Sequence, residues 1–253
     1  MTRLKAMRWC LLAAAALSAI AAASAWAEAP EMGRCVAHAG GKYANNVCTK
    51  AAKGKKPGKY EWEPGAVKNK FTGVGGAATL ETIHKVKVTC KAESSSGEFT
   101  SPKTAGNIIV KFTGCEALEY KCKSPGAGEG EIVVNPIAAT LRWEDATKKK
   151  VAIDLVPQSG EIFVEFGCGP VPVVVRGSVM TNLPANKVET VFDEKFTAKV
   201  GKQKPEYYYT ATGEKVQDVL FSKIGGSAPL EQAGQTITNT QTDEEALEVN
   251  TVA

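Results

Sequence analysis

Apolar and polar residues alternate along most of this chain, and this period of two constrains its fold more than any other feature. In TLETIHKVKVTCK, for example, Val86, Val88 and Cys90 fall on one side and the intervening lysines on the other. Alternation of this kind is typical of half-buried strands. Turn-forming stretches separate the alternating runs, among them SSSG, SPGAGEG and VPQSG. The sequence therefore predicts an all-β fold, an antiparallel β-sandwich or barrel-like domain.

The first 27 residues have a different character. Arg3, Lys5 and Arg8 precede an uncharged run over 9–27 that ends in the small-residue pattern AWA. This arrangement predicts a secretory signal peptide over 1–27, cleaved after Ala27. The alternative is an uncleaved membrane anchor, because the uncharged run is long enough to cross a bilayer. We expect a secreted or extracellular, envelope-associated protein with no membrane span after processing.

Net charge argues against nucleic-acid binding. The chain has 31 basic and 27 acidic residues, and three of the basic ones belong to the predicted signal peptide. The remaining 28 basic residues nearly balance the 27 acidic ones. A nearly neutral chain lacks the global electrostatic footprint of a nucleic-acid binder.

The cysteines predict disulfides. Cys10 lies within the predicted signal peptide, which leaves six cysteines, an even number typical of an exported chain stabilised by disulfides. Cys35 and Cys48 would close the opening loop, and Cys115 and Cys122 flank a predicted turn. Cys90 and Cys168 each lie on the apolar side of a predicted strand, so we expect them to form a third bridge across the core.

A metal site at the opening loop is the alternative to the Cys35–Cys48 disulfide. Cys35, His38 and Cys48 would supply three ligands, with His84 or another cysteine as a candidate fourth. Structural zinc sites commonly use closely paired ligands such as Cys-x-x-Cys, and no such pair occurs here. We therefore predict no metal site, and we expect His84 to be a partly buried, hydrogen-bonded side chain.

A lysine-rich segment follows the opening loop. We predict a disulfide-closed basic extension over 28–60 and the all-β domain over 61–253. The segment could contact an acidic cell-envelope polymer or a glycan, or it could be only a solvated linker. The candidate contact residues are Lys50, Lys53, Lys55, Lys56, Lys59, Tyr60 and Trp62.

Catalytic signatures are weak throughout the sequence. The chain has no Gly-x-Ser-x-Gly motif and no Walker sequence, and GAGEG at Gly126 is not the dinucleotide fingerprint and precedes no predicted helix. Glu161 and Glu165 lie on one side of a predicted strand, but their backbones would be about 13 Å apart, too far for a glycosidase pair without strong convergence. We predict no catalytic residues and no cofactor. The stretch TITNTQT places alternate threonines on one side, as expected for a polar strand.

Several stretches taken together resemble a known protein family. They are GKYEWEPG, ATLETIHKVKVTCK, FTGCEA, EIVVNP, KKKVAIDLVP, VVVRGSV and QTDEEALEVN. In these the chain resembles a family of secreted actinobacterial proteins of unknown function. The resemblance implies export and a shared β fold, and it implies no catalytic residues.

Two classes of function follow from these observations. The favoured interpretation is an exported, non-catalytic envelope or extracellular protein that binds a ligand or has a structural role. The alternative is a secreted hydrolase that acts on a cell-wall polymer or polysaccharide. An acidic or aromatic cleft would favour the hydrolase, and a basic loop patch would favour binding.

Overall fold

A computed structural model of the chain describes residues 30–54 and 56–251. Within these ranges it contains strands, turns and no helix, which confirms the all-β prediction. None of the described segments could cross a membrane as a helix. The predicted signal peptide, its cleavage site and Lys55 lie outside the described residues.

The last strand has 20 residues and is much longer than the first, which has 11. The first eleven are β1 (Glu31–Gly41), β2 (Gly58–Pro64), β3 (Lys70–Gly75), β4 (Ala78–Thr82), β5 (Lys87–Cys90), β6 (Ala92–Ser101), β7 (Thr104–Thr113), β8 (Glu116–Ala117), β9 (Tyr120–Lys123), β10 (Ile132–Val133) and β11 (Ile137–Asp145). The others are β12 (Lys150–Pro157), β13 (Ile162–Cys168), β14 (Val171–Gly177), β15 (Val179–Leu183), β16 (Glu189–Lys199), β17 (Lys202–Lys204), β18 (Tyr207–Tyr209), β19 (Lys215–Gln217), β20 (Leu220–Ile224) and β21 (Glu231–Asn250).

Eight antiparallel strands close into a ring. The order around it is β21, β4, β5, β8, β9, β13, β14, β20 and back to β21. Closure leaves no free sheet edge, and this is how all-β proteins avoid edge-to-edge aggregation. The fold is thus a closed eight-stranded barrel with additional strands.

A second antiparallel sheet uses the other part of β21. Its order is β16, β21, β3, β6, β7, β11, β12 and β15. Its first and last strands, β16 and β15, lie next to each other. The Thr181 hydroxyl on β15 donates a hydrogen bond of 2.6 Å to the carbonyl of Lys195 on β16. The second sheet is therefore strongly curled.

One apolar cluster lies between the two sheets. It includes Val88, Phe166 and Val175 from the ring and Ile108 and Phe196 from the second sheet. Val88 is inward as the alternation predicts, because successive side chains of a strand point to opposite faces. Burial of this apolar surface is the main stabilising contribution to the fold.

The N-terminal segment is part of the same fold. Strand β1 pairs with β2 along most of its length, and Glu31 to Gly33 also pair with the end of β21. The boundary predicted between residues 60 and 61 lies inside β2. The loop between β1 and β2 carries Cys48, which is fully buried and bonded to Cys35 as predicted.

The other two disulfides differ from the prediction. All six cysteines of the described chain are bonded, but the pairs are Cys90–Cys115 and Cys122–Cys168. The predicted Cys115–Cys122 and Cys90–Cys168 bridges are wrong. Strand register explains the difference, because the four cysteines form one row across neighbouring strands of the ring.

Each cysteine in this row faces the next one. Thr89 pairs with Glu116, so the register places Cys90 opposite Cys115. Glu116 pairs with Lys121, so Cys115 also faces Cys122, and Cys122 pairs with Cys168 directly. If the middle two cysteines were bonded, Cys90 and Cys168 would remain three strand spacings apart, about 14 Å along the sheet. A disulfide requires Cα atoms within about 7 Å, so only the observed pairing bonds all four cysteines.

Peptide mapping under non-reducing conditions tests the disulfide pairing within this row of cysteines. We expect fragments that join Cys90 to Cys115 and Cys122 to Cys168. The Cys122–Cys168 bridge closes a loop of 46 residues and the Cys35–Cys48 bridge one of 13. Replacing both cysteines of the longer loop by serine should lower the free energy of unfolding by about 4 kcal/mol, against about 3 kcal/mol for the shorter loop. A Cys115–Cys122 fragment in the folded protein would contradict the assignment.

Candidate functional site

A cavity of about 200 Å³ lies inside the protein, bounded by both sheets. Most of its lining is apolar, and the aromatic rings of Phe71, Phe163 and Phe166 contribute to it. The lining also includes the exposed residue Lys187 and the half-buried Glu189, so the cavity reaches the surface at this end. Pockets that are mainly apolar with a few polar groups are typical of small-molecule binding sites.

Six polar side chains form one stripe on the cavity wall. We call them the polar stripe: Glu93, Ser95, Glu194, Asn239, Gln241 and Asp243. They come from β6, β21 and β16, and β3 lies between β6 and β21. Opposed residues of antiparallel strands share a face, so register assembles the stripe from segments that are far apart in sequence.

One row of this register contains the centre of the stripe. Glu93 pairs with Gly75, Gly75 pairs with Asn239, and Asn239 pairs with Glu194. The Asn239 side-chain nitrogen Nδ2 donates a hydrogen bond of 3.0 Å to Glu194 Oε2. In the next rows, Gln241 Nε2 donates a hydrogen bond of 2.7 Å to Asp243 Oδ1.

Two glycines on β3 make room for the stripe. A Cβ at Gly75 would lie 2.6 Å from Glu93 Oε2, and a Cβ at Gly73 would lie 2.6 Å from Asn239 Oδ1. Real Cβ atoms do not approach other atoms this closely, so a larger residue at either position would displace the polar groups. Between Phe71 and the C-terminal end of β3, the inner face of this strand therefore carries no side chains. Side chains of the neighbouring strands extend over its backbone instead.

Two oxygen atoms of the stripe have no hydrogen-bond partner among the described residues. They are Glu93 Oε2 and Asn239 Oδ1, on side chains that are 7% and 9% exposed. Buried polar atoms in native proteins are nearly always hydrogen-bonded, and an unpaired one costs about 1–3 kcal/mol. Both atoms border the cavity, where a bound molecule could reach them.

Burial raises the pKa of several cavity carboxyls. It raises the pKa of Glu194 to about 7, and the nearby carboxyls of Glu93 and Asp243 contribute further. Burial also raises the pKa of Asp243 to about 6 and that of Glu248, which lines the cavity nearby, to about 7. The pKa of Glu93 rises for the same reason, partly offset by a hydrogen bond from Ser95.

No ion pair within residues 30–54 and 56–251 neutralises these four carboxyls. Two lysines line the cavity, but each has another partner. Lys187 contacts Glu189, and Lys103 lies 3.1 Å from Glu31. The charged lining of the cavity is therefore predominantly acidic.

A second buried polar cluster lies outside the cavity. Arg142 donates through Nε to Asp154 Oδ2 at 3.1 Å, and its guanidinium lies 4.5 Å from the centre of the Tyr208 ring. Burial, with the neighbouring Asp154 carboxyl, raises the pKa of Asp218, which is fully buried. Asp154 and Asp218 do not line the cavity, and through Arg142 on β11 this cluster contacts Tyr208 on β18.

The predicted contact residues lie apart from the cavity. Lys50, Lys53, Lys56 and Lys59 are exposed, and within the described chain they form no ion pair. Tyr60 and Trp62 are half buried in β2. Trp62 pairs with Cys35 and its ring covers Gly33, so it packs within the hairpin instead of extending the lysine patch.

Both histidines lie at the surface. His38 and His84 are both exposed, and His84 contacts Glu231 through Nδ1. The expected partial burial of His84 is wrong, because residues 83–86 form a turn between β4 and β5 instead of continuing a strand. In the part of the chain that the structure describes, no group of three or more His, Cys, Asp or Glu side chains could hold a metal ion.

Sequence reasoning missed the polar stripe, although a signal for it exists. Glu194 lies between Phe192 and Phe196 at the inward positions of its strand. In TITNTQT the threonines face outward, and Asn239 and Gln241 occupy the buried positions between them. Polar residues at inward positions are the local signal, but only the register between strands shows that they converge.

Comparison of the chain with protein-family models, curated proteins and solved structures finds no match. The resemblance to secreted actinobacterial proteins therefore stays a prediction.

The buried carboxyls predict a dependence of stability on pH. Glu194 has a pKa of about 7 in the folded protein and about 4.3 when unfolded. Its contribution to stability is therefore present below about pH 4 and is lost as pH rises through 7. Between pH 5 and 8 the free energy of unfolding should fall, and Glu194→Gln should be more stable than the parent at pH 8 by about 1–3 kcal/mol.

Chemical unfolding at pH 5 and pH 8 measures this effect. The matched control is Glu165→Gln, because Glu165 is exposed on β13. We expect the control to follow the parent at both pH values. Equal stability of Glu194→Gln and the parent at pH 8 would show that Glu194 is not buried as described.

Proposed function

We propose that this chain is an exported, non-catalytic binding protein of the cell envelope, and that its interior cavity takes a small, largely apolar ligand. The observation that carries the proposal is the cavity itself, with an apolar lining and unpartnered polar atoms at one wall. A structure that needed only a packed core would fill such a space, because protein interiors are close-packed.

The cavity volume supports a ligand of modest size. An engineered cavity of about 150 Å³ in another protein binds benzene. At about 200 Å³, the present cavity has room for a substituted benzene ring or a short alkyl chain. Entry would be through the end at Lys187 and Glu189, where the lining meets the surface.

The lysine-rich loop supplies a second, separate contact. Its exposed lysines lie close together in sequence, in the β1–β2 hairpin, and lack acidic partners within the described chain. Unpaired surface charge of one sign attracts polymers of the opposite sign, and salt screens this attraction. We propose that the loop holds the protein at an acidic envelope polymer while the cavity binds its ligand.

The alternative function, hydrolysis of a wall polymer, needs an open cleft. Raised carboxyl pKa values do occur in glycosidase sites. Here the carboxyls line a cavity of about 200 Å³ that is too small to admit a polysaccharide chain. Release of reducing sugar from isolated cell walls, lost in Glu194→Gln, would favour the hydrolase over the binding protein.

Binding of propylbenzene tests the cavity. This neutral molecule suits an apolar space of the observed size. We therefore expect it to bind with a dissociation constant below 1 mM, which corresponds to a binding free energy more favourable than about −4 kcal/mol. Methyl NMR spectra of the folded protein give the location. We expect the methyl signals of Ile237, Val164 and Val175, which line the cavity, to shift on titration.

The methyl groups of Val67 provide the internal control. Val67 is 71% exposed and does not line the cavity, so its signals should not move. Shifts at Val67 with none at the cavity residues would indicate surface adsorption, and the proposed cavity function would then be wrong.

Retention on isolated envelopes tests the lysine-rich loop. Lys50, Lys53, Lys55, Lys56 and Lys59 are all replaced by glutamine, and binding is measured across a salt series. We expect the parent to dissociate as salt rises and the variant to bind several-fold more weakly at low salt. A variant with Lys199, Lys202 and Lys223 replaced by glutamine controls for a general loss of charge. Equal retention of the five-lysine variant and the parent would leave the loop without a binding role.

A further inference from the structure

We propose that the ligand of the cavity carries a single positive charge, as an organic ammonium group, and that this group binds at the polar stripe between Glu93, Asn239 and Glu194. The inference rests on the proposed binding function and specifies its ligand class. Three independent features of the stripe support it: acceptors without a partner and the absence of a counter-charge, both within the described part of the chain, and space that two glycines leave open.

The two atoms of the polar stripe that lack a hydrogen-bond partner in the described chain are both hydrogen-bond acceptors. Glu93 Oε2 and Asn239 Oδ1 lack partners, and the orientation of the Asn239 amide follows from its Nδ2 donating to Glu194. The Glu194 carboxylate accepts that hydrogen bond and retains further lone pairs. An ammonium group offers three donors and no acceptor, which matches this set of atoms.

Charge distinguishes an ammonium from a neutral donor. Buried carboxylates are costly unless a positive charge is close to them. Glu93, Glu194, Asp243 and Glu248 have no lysine or arginine partner in the described ranges. The two lysines that line the cavity are paired with Glu31 and Glu189. A cationic ligand would supply the missing charge, whereas an anionic ligand would add repulsion.

A metal ion does not fit the same atoms. Metal sites in proteins bring several ligating side chains to one point, and no such group of His, Cys, Asp or Glu occurs in the described part of the chain. The acceptors of the stripe are spread along one row of strand register instead. The apolar walls beside them suit the carbon skeleton of an organic cation.

The glycines define where the ammonium group would lie. Glu93 Oε2 and Asn239 Oδ1 both lean over the bare face of β3, at Gly75 and Gly73 respectively. A group bound between these two oxygens would contact backbone that has no side chain. Alanine at Gly75 would displace Glu93 Oε2 and would also meet Ile237.

Four small ligands of similar shape test the inference by calorimetry at pH 8. They are propylbenzene, 2-phenylethanol, 2-phenylethylammonium and 3-phenylpropionate. We expect the ammonium to bind at least tenfold more tightly than the alcohol and the propionate to bind most weakly. In Glu194→Gln the preference for the ammonium over the alcohol should fall below about threefold.

Glycine variants provide a second test. Gly75→Ala should weaken ammonium binding at least fivefold. Gly76→Ala is its matched control, because a Cβ at the adjacent Gly76 meets nothing within 4 Å. We expect Gly76→Ala to bind all four ligands as the parent does. Calcium chloride at millimolar concentration should not compete with the ammonium ligand.

The pH dependence gives a third readout. The charged groups around Glu194 are Glu93 on β6, Asp243 and Glu248 on β21, and Lys103, Lys187 and Glu189 towards the surface. Because the cation binds the ionised carboxylate, ammonium affinity should rise between pH 5.5 and 8 with release of a proton. The affinity for propylbenzene should not rise with pH.

The outcomes separate the two proposals. Binding of propylbenzene with equal affinities for the alcohol and the ammonium would overturn the ammonium site and leave the binding function intact. Failure of all four ligands to bind would overturn both. Competition by calcium would replace the ammonium site by a metal site.

Discussion

The long strand β21 must satisfy hydrogen bonds on both of its edges over 20 residues, and the rest of the structure depends on how it does so. Its first part pairs with β20 and β4 and closes the ring. Its middle pairs with β16 and β3 in the second sheet, and its end pairs with β1. Because one continuous strand belongs to both sheets, the two sheets enclose a common interior and cannot slide past each other.

This arrangement also fixes the chemistry of the interior. A shift of one residue in strand register would move every inward side chain to the outer face. Asn239, Gln241 and Asp243 are inward together because they are two residues apart on β21. The same register aligns Asn239 with Gly75 on one side and Glu194 on the other. The polar stripe is therefore a consequence of the pairings that hold β21 in place.

The sequence predicts local features well and relations between strands poorly. Alternation correctly predicted that Val88 and Cys90 lie on the same inward face, because the two faces of a strand follow from the sequence alone. The disulfides show the limit. The positions of Cys115 and Cys122 around a turn were interpreted correctly, but their partners depend on β5 and β13 being the neighbouring strands. Closure of the whole ring sets that order of strands. No single segment of the sequence is therefore enough to predict it.

The candidate site could not be predicted from the sequence for the same reason. Gly73 and Gly75 read as ordinary strand glycines until their cross-strand neighbours are known, and then they account for the space beneath Glu93 and Asn239. Such an interior is costly to the fold, because carboxyls without a counter-charge destabilise it as they ionise near neutral pH. An apolar residue at position 194 would remove that cost and continue the face that Phe192 and Phe196 begin. A carboxyl at this position is thus better explained by a bound cation than by packing, since a cation converts the same ionisation from a loss of stability into binding energy.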